Sequence, residues 1–178
     1  MINGKKWYAF FSHTGTDIYN LTRRINVIPD CVVTNGNDLG RINSKLNKLK
    51  TEFRYTKQWP KEPDYDFLLD ECDTGCIVTL HGWMRVIPAG VCDTHEIYNL
   101  HPGLITKYPE LKGKDPQDRV TDDHTHIGLV IHRVTPEVDD GEVIVEMSTL
   151  NNGVNVHKQL HGMACCAWEA FFEKVLLN

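Results

Sequence analysis

The feature that most constrains this chain is an alternation of short apolar runs with segments whose apolar residues recur at helical spacing. WYAFFS (7–12) is apolar and aromatic almost throughout, as a strand buried on both faces must be. After the loop HTGTD, residues Ile18, Leu21, Ile25 and Ile28 return every three or four positions, which predicts a helix. DCVVTN (30–35) predicts a second strand. DLGRINSKLNKLK (38–50) and PDYDFLLDECD (63–73) predict two more helices, and CIVTL (76–80), after a turn at Gly75, another strand. Strands alternating with helices feed a parallel sheet, so the expected fold class is α/β.

The second half reads differently. EIYNLH (96–101), THIGLVIHRV (125–134) and GEVIVEMSTL (141–150) predict three strands. The last two flank the short TPEVDD loop and are expected as an antiparallel pair or near neighbours. NVHKQLHGMACCAWEAFFEKVLL (155–177) predicts a closing helix with Leu160, Met163, Ala164, Ala167, Trp168, Phe171, Phe172 and Val175 on one broad face. Gly162 is a mild defect within it. No repeat or linker interrupts the 178 residues, so residues 1–178 are expected to form a single domain with its own core.

Hydrophobic residues make up 41% and charged residues 24%, the balance of an ordinary globular protein. A net charge of −5 disfavours a general nucleic-acid partner. No run of about 18 apolar residues predicts a membrane span. Positive charge is concentrated in Arg41, Lys45, Lys48, Lys50, Arg54, Lys57 and Lys61. This is either a solvated face or a local attractor for an anionic small molecule. Six cysteines form no CxxC pair, and Cys76, Cys165 and Cys166 lie in apolar context. They read as buried reduced thiols of a cytoplasmic protein.

The chemistry gathers at IYNLHPGL (97–104). On a strand, residues two apart face the same side, so Asn99 and His101 project together just before Pro102-Gly103 turns the chain. In open α/β sheets ligands bind beyond the carboxyl ends of strands. An amide donor and an imidazole in that position suit an oxyanion and a proton in flight. The plainer alternative is a satisfied structural pair.

Other segments bear on that choice. Gly82-Trp83-Met84-Arg85 follows one strand. Asn99-Leu100-His101-Pro102 ends the next, with Lys107-Tyr108-Pro109 shortly after. His132 lies on a later strand, followed by Val138-Asp139-Asp140-Gly141. In order and spacing these motifs resemble the folate-dependent formyltransferases, and within them the glycinamide ribonucleotide formyltransferases. The likeness covers most of the chain and is strongest from about residue 76 to 146.

The resemblance implies a Rossmann-like sheet flanked by helices and formyl transfer from 10-formyltetrahydrofolate to a primary amine, a step of purine synthesis. Asn99, His101 and Asp139 would be catalytic. Met84, Arg85, Val86, Ile87, His132, Thr135, Val138 and Asp139 would bind the folate. Gly15, Thr16 and Asp17 would bind the acceptor. The partners implied are small molecules, the folate co-substrate and an amine, on a monomer or homodimer; no metal, nucleic acid or membrane is expected.

The acceptor side departs from the family. Ser12-His13-Thr14-Gly15-Thr16-Asp17 stands where a Ser-Gly-Asn-Gly-Ser-Asn loop holds a phosphate at a helix N-terminus. Asp17 replaces an amide with a carboxylate, which repels phosphate; alternatively Asp17 or Thr16 caps the helix. The last helix shows Gly162 and Met163 where the family carries a Glu. Lys112-Gly113-Lys114-Asp115-Pro116-Gln117 looks more like the corresponding stretch of methionyl-tRNA and sugar-amine formyltransferases. An amino sugar nucleotide is therefore the alternative acceptor. Two further classes stay open. One is a metal-dependent hydrolase using Asp122, Asp123, His124, His126 and His132; the other is a non-catalytic binding module.

Overall fold

Apolar runs at the front of the chain become parallel strands, as their continuous burial requires. In the computed structural model the described residues are 2, 4–36, 39–56, 62–70, 72 and 76–177. The strands are β1 (Trp7–Phe11), β2 (Cys31–Thr34), β3 (Glu52–Tyr55), β4 (Ile77–His81), β5 (Glu96–His101), β6 (His126–Arg133) and β7 (Val143–Leu150). Their hydrogen-bonded order is β3-β2-β1-β4-β5-β6-β7. The fold is α/β with a mostly parallel sheet and an antiparallel pair in its C-terminal half, as expected. The chain clusters into two compact units, residues 1–98 and 99–178.

In the first unit β2, β1 and β4 are buried at every position. β1 pairs in parallel with β2 and with β4, and the Phe11–His81 partnership brings the carboxyl ends of β1 and β4 level. The core is knitted by Trp7 Nε1, which donates to Thr79 Oγ1 at 2.8 Å; the same hydroxyl lies 2.8 Å from His81 Nε2. Burial pushes the His81 imidazole down to about 3, so it is neutral at physiological pH. Helix α1 (Thr16–Ile25) buries Ile18 and Leu21 and ends at Asn26 in the left-handed region. Ile28 falls beyond that end and is exposed.

In the second unit β6 and β7 run antiparallel, and helix α4 (Val156–Leu177) packs on both. Leu160, Ala164, Ala167, Trp168, Phe171 and Phe172 of the predicted face are buried. Gly162, the weak point in the pattern, faces open space: a methyl group there would meet nothing within 4 Å, so the glycine marks no close approach.

Several expectations need correction. The helix expected over 38–50 is replaced, in the described residues 39–50, by two short 3₁₀ turns, Leu39–Arg41 and Leu46–Lys48. Asn43 is the cause. Its N–H donates to the Thr14 carbonyl, and its Oδ1 accepts from Lys45 N at 3.0 Å, a local bond that competes with helix. Of the helix expected over 63–73, the described residues 63–70 form only the single turn α2 (Tyr65–Leu68), started by Asp64 accepting from Phe67 N. Arg54 Nη1 takes the Phe67 and Leu68 carbonyls that a longer helix would use. Arg54 is thus no surface charge: it is buried, bonded to Glu52 and Asp70, and lies over the rings of Tyr8 and Phe67. Cys76 is not a thiol but is disulfide-bonded to Cys72, while Cys31 and Cys92 are buried and free and Cys166 is exposed. The predicted turn at Gly75, and Lys57 and Lys61 of the basic stretch, lie outside the described residues.

Two elements had little signal. Only Arg54 of β3 is buried, so the strand carries no apolar run. Helix α3 (Ala89–Thr94) is six residues long, too short for a periodicity.

Gly128 of β6 lies against β7: a Cβ there would sit 2.4 Å from the Met147 carbonyl oxygen and 3.1 Å from Leu104 Cδ1. Gly128→Ala is expected to destabilise the protein by about 1–3 kcal/mol through overpacking, read as a lower urea midpoint.

Candidate active site

β5 ends with Asn99 and His101 on one side of the strand, as period two demands, and both reach residues that come later in the chain. His101 is 4% exposed. Its Nδ1 lies 3.1 Å from Asp139 Oδ2, and its Nε2 donates to the Leu111 carbonyl at 2.8 Å. Asn99 Nδ2 lies 3.4 Å from His132 Nε2. His132 Nε2 in turn lies 3.3 Å from Asp139 Oδ1, and its Nδ1 donates to the Arg133 carbonyl at 2.9 Å. One carboxylate thus spans two imidazoles, an oxygen to each, and the second imidazole touches the amide. All four side chains belong to the second unit.

Local backbone features make this convergence. Gly103 leaves room for the His101 ring, since a Cβ there would come within 2.8 Å of Nε2. The β6–β7 register slips between Ile131, opposite Val145, and His132, opposite Val143. Ile144 is left as a bulge that re-aims the strand, and Lys174 Nζ takes its carbonyl at 2.6 Å. Asp139 sits at φ 52, a left-handed conformation that Asp tolerates better than most residues. At Gly141 a Cβ would fall 1.8 Å from the Arg133 carbonyl oxygen, so only glycine lets the 135–141 loop close on β6.

Burial pushes the Asp139 carboxyl up, but hydrogen bonds with His101 and His132, the charge of His101 and the Gly113 N–H outweigh it. Together they hold the group well below the usual carboxylate range. The adjacent Asp140 is also lowered, by Lys112. Asp139 is therefore a negative charge that faces both imidazoles.

The remaining candidate residues are divided between the two units. In the first unit, Met84 N donates to Ser12 Oγ at 2.9 Å, tying the loop after β4 to the loop after β1. Met84 and Val86 are 56% and 72% exposed. The Ile87 side chain is buried, and its carbonyl lies 3.7 Å from Cys92 Sγ. Gly15, at φ 67, is the N-cap of α1 and makes no side-chain cap bond, so neither Thr16 nor Asp17 has the expected capping role. Thr14 Oγ1 accepts from Thr16 N instead, and Asn43 Nδ2 donates to Thr16 Oγ1. Asp17 lies in the first turn of α1. In the second unit Thr135 Oγ1 donates to the Glu137 carbonyl, and Val138 is exposed. His132 is 2% exposed, with its ring turned into the Asn99–Asp139 cluster.

His124, His126 and His132 do not converge. They bond to Glu110, to Lys107 and Thr125, and to Asp139 respectively. Among the described residues no group of three His, Cys, Asp or Glu is arranged to hold a metal ion, and no helix is long and apolar enough to cross a membrane.

A family model described as "Formyl transferase" matches residues 22–151, well over half of the chain. The chain belongs to the formyl transferase family. A phosphoribosylglycinamide formyltransferase of Dictyostelium discoideum is 37% identical over 81 residues, covering 39% of this chain and 38% of that protein. The match thus spans well under two thirds of that relative's length. Among solved structures, phosphoribosylglycinamide formyltransferase from Anaplasma phagocytophilum superposes with a TM-score of 0.76 at 21% identity, over 92% of this chain and 83% of that one. The enzyme of that name from Streptococcus pneumoniae gives 0.76 at 20%, over 98% and 99%. A formyltetrahydrofolate deformylase from Pseudomonas syringae gives 0.74 at 18%, over 98% and 61%. At these identities the structures show a shared formyltransferase fold.

Two residues of the cluster's surroundings had no signal beforehand: Leu111, through its carbonyl, and Gly113, through its N–H. Backbone groups leave no trace in side-chain identity.

Because Asp139 is lowered in the folded state, its pairing contributes stability in full above the ordinary carboxyl value near about 4 and loses it as pH falls toward the lower, folded value. Asp139→Asn is expected to be about 1–3 kcal/mol less stable than the natural protein at pH 7. That gap should narrow steadily below about pH 4. Urea denaturation across pH measures both; a gap that does not change with pH would mean that Asp139 is not held ionised.

Proposed function

We propose that this enzyme transfers a formyl group from 10-formyltetrahydrofolate to a primary amine, with glycinamide ribonucleotide as the default acceptor. The observation that carries the reading is the Asn99–His132–Asp139–His101 cluster, its two imidazoles buried, in a chain of the formyl transferase family. A fold needs no such set of side chains, whereas acyl transfer to an amine needs an oxyanion donor and a proton acceptor. The family match runs across the boundary between the two units, which supports treating residues 1–178 as one catalytic domain.

The folate's part is to carry the formyl group in activated form; the chain's part is placement and proton handling. Asn99 donates from Nδ2 to the formyl oxygen as negative charge develops there. For this the amide must turn its oxygen toward His132. The two ends of an amide exchange by a half-turn. Asp139 holds His101 in a productive protonation state, and the pair helps move the proton of the attacking amine to the departing nitrogen. Burial of His101 excludes competing water. Met84, Arg85, Val86 and Ile87 of the first unit, and His132, Thr135, Val138 and Asp139 of the second, are proposed for the folate. Within that set His132 acts through Asn99 and Asp139. Gly15, Thr16 and Asp17 are proposed for the acceptor.

A second reading puts water in place of the amine. The likeness to the deformylase and the carboxylate of Asp17 both favour it. A spectrophotometric assay of formyl loss, with and without glycinamide ribonucleotide, separates the two. Loss that depends on the acceptor is expected; equal loss without it would establish hydrolysis, donor binding without loss would discard this acceptor for other amines, and no donor binding at all would end the folate reading. His101→Ala should remain folded by circular dichroism and lose about 100- to 10,000-fold in turnover. Asp17→Asn should bind a phosphorylated acceptor more tightly by calorimetry; unchanged affinity would mean that position 17 does not face the phosphate.

A further inference from the structure

Arg119 lies outside every motif considered so far, yet its guanidinium grips three successive backbone carbonyls. Nη1 donates to the Glu110 carbonyl, and Nη2 donates to Leu111 O at 3.1 Å and to Lys112 O at 2.7 Å. These carbonyls need an outside partner because the 3₁₀ turn Pro109–Leu111 ends there. The chain then reverses through Gly113 at φ 87 and Asp115 at φ 50, and the turn Pro116–Arg119 brings the guanidinium back onto the strap it has just left.

That strap is one wall of the catalytic cluster. Leu111 O accepts from His101 Nε2 as well as from Arg119. Gly113 N donates to Asp139 Oδ2 at 2.8 Å, the same oxygen that faces His101 Nδ1. Lys112 pairs with Asp140. The His101 ring is therefore held from both sides, by Asp139 on Nδ1 and by a carbonyl whose direction Arg119 sets on Nε2.

We infer that Arg119 is a positioning residue of this centre: it orients the Leu111 carbonyl, which fixes the tilt of the His101 ring through its Nε2–H. Without the guanidinium the carbonyls of residues 110–112 turn to water, and Nε2 loses its acceptor. A planar, always-charged fork suits this task because it can serve several carbonyls at once; a lysine ammonium would serve them less well. The inference rests on the proposed formyl transfer only for its kinetic consequence, not for the state of the ring.

The test therefore reads the ring and the rate separately. Long-range ¹H–¹⁵N spectra of ¹⁵N-labelled protein report the His101 imidazole, assigned as the signals lost in His101→Gln. In Arg119→Met the Nε2–H signal should shift and broaden. Turnover should fall by up to about 100-fold with a smaller change in KM. Arg119→Gln, which keeps one amide donor, should fall between the two, and it serves in place of Arg119→Met if that variant does not fold. Asp118→Asn, one residue away, loses only the exposed pair with His157 and should leave ring and rate unchanged. Ring signals in both Arg119 variants that match the natural protein would overturn the inference. Ring signals that move in a protein showing no formyl loss would uphold it while sinking the formyl-transfer reading.

Discussion

The carboxylate of Asp139 is the interaction on which the chemistry of the second unit depends. Each oxygen faces an imidazole, and one also accepts a backbone N–H. A charge drawn partly out of water is tolerable only when it is paired and hydrogen-bonded, and here every partner is itself held. The loop that presents Asp139 accepts a left-handed residue and a glycine with no space for a methyl group. A bulge at Ile144 and the reach of Lys174 from α4 set the local course of the strand pair.

The two halves of the chain use different devices. The first unit relies on parallel strands buried on both faces, with polar needs met inside the core by the Trp7–Thr79–His81 relay and by Arg54. The second builds on an antiparallel pair covered by one long helix, which leaves the loops around it to carry polar groups. The Leu111 carbonyl and the Gly113 N–H hold the cluster alongside its side chains.

Much of the fold was legible because burial on two faces writes continuous apolar runs, and burial on one helix face writes a three-to-four-residue period. β1, β2, β4, β5, β6, β7 and α4 all stand where those patterns place them. Reading failed where a short polar side chain outbid the helix, as Asn43 does, or where one buried cation ended it, as Arg54 does at α2. β3 was invisible because its buried residue is an arginine. In the cluster, the facing of Asn99 and His101 followed from strand parity alone. The burial of His132 against Asn99 did not, because it depends on which strands lie together.

The sequence by itself determined the fold class and the strand end that carries an amide and an imidazole, since periodicity and residue chemistry are local properties; the acidic loop was singled out by a family resemblance. Only the tertiary structure decided that Asp139 is shared by two rings, that Leu111 and Gly113 complete the set through their backbone, and that Arg119 holds that backbone in place. Those contacts join residues far apart in the chain, and a backbone carbonyl acquires its role from direction, which no residue identity encodes.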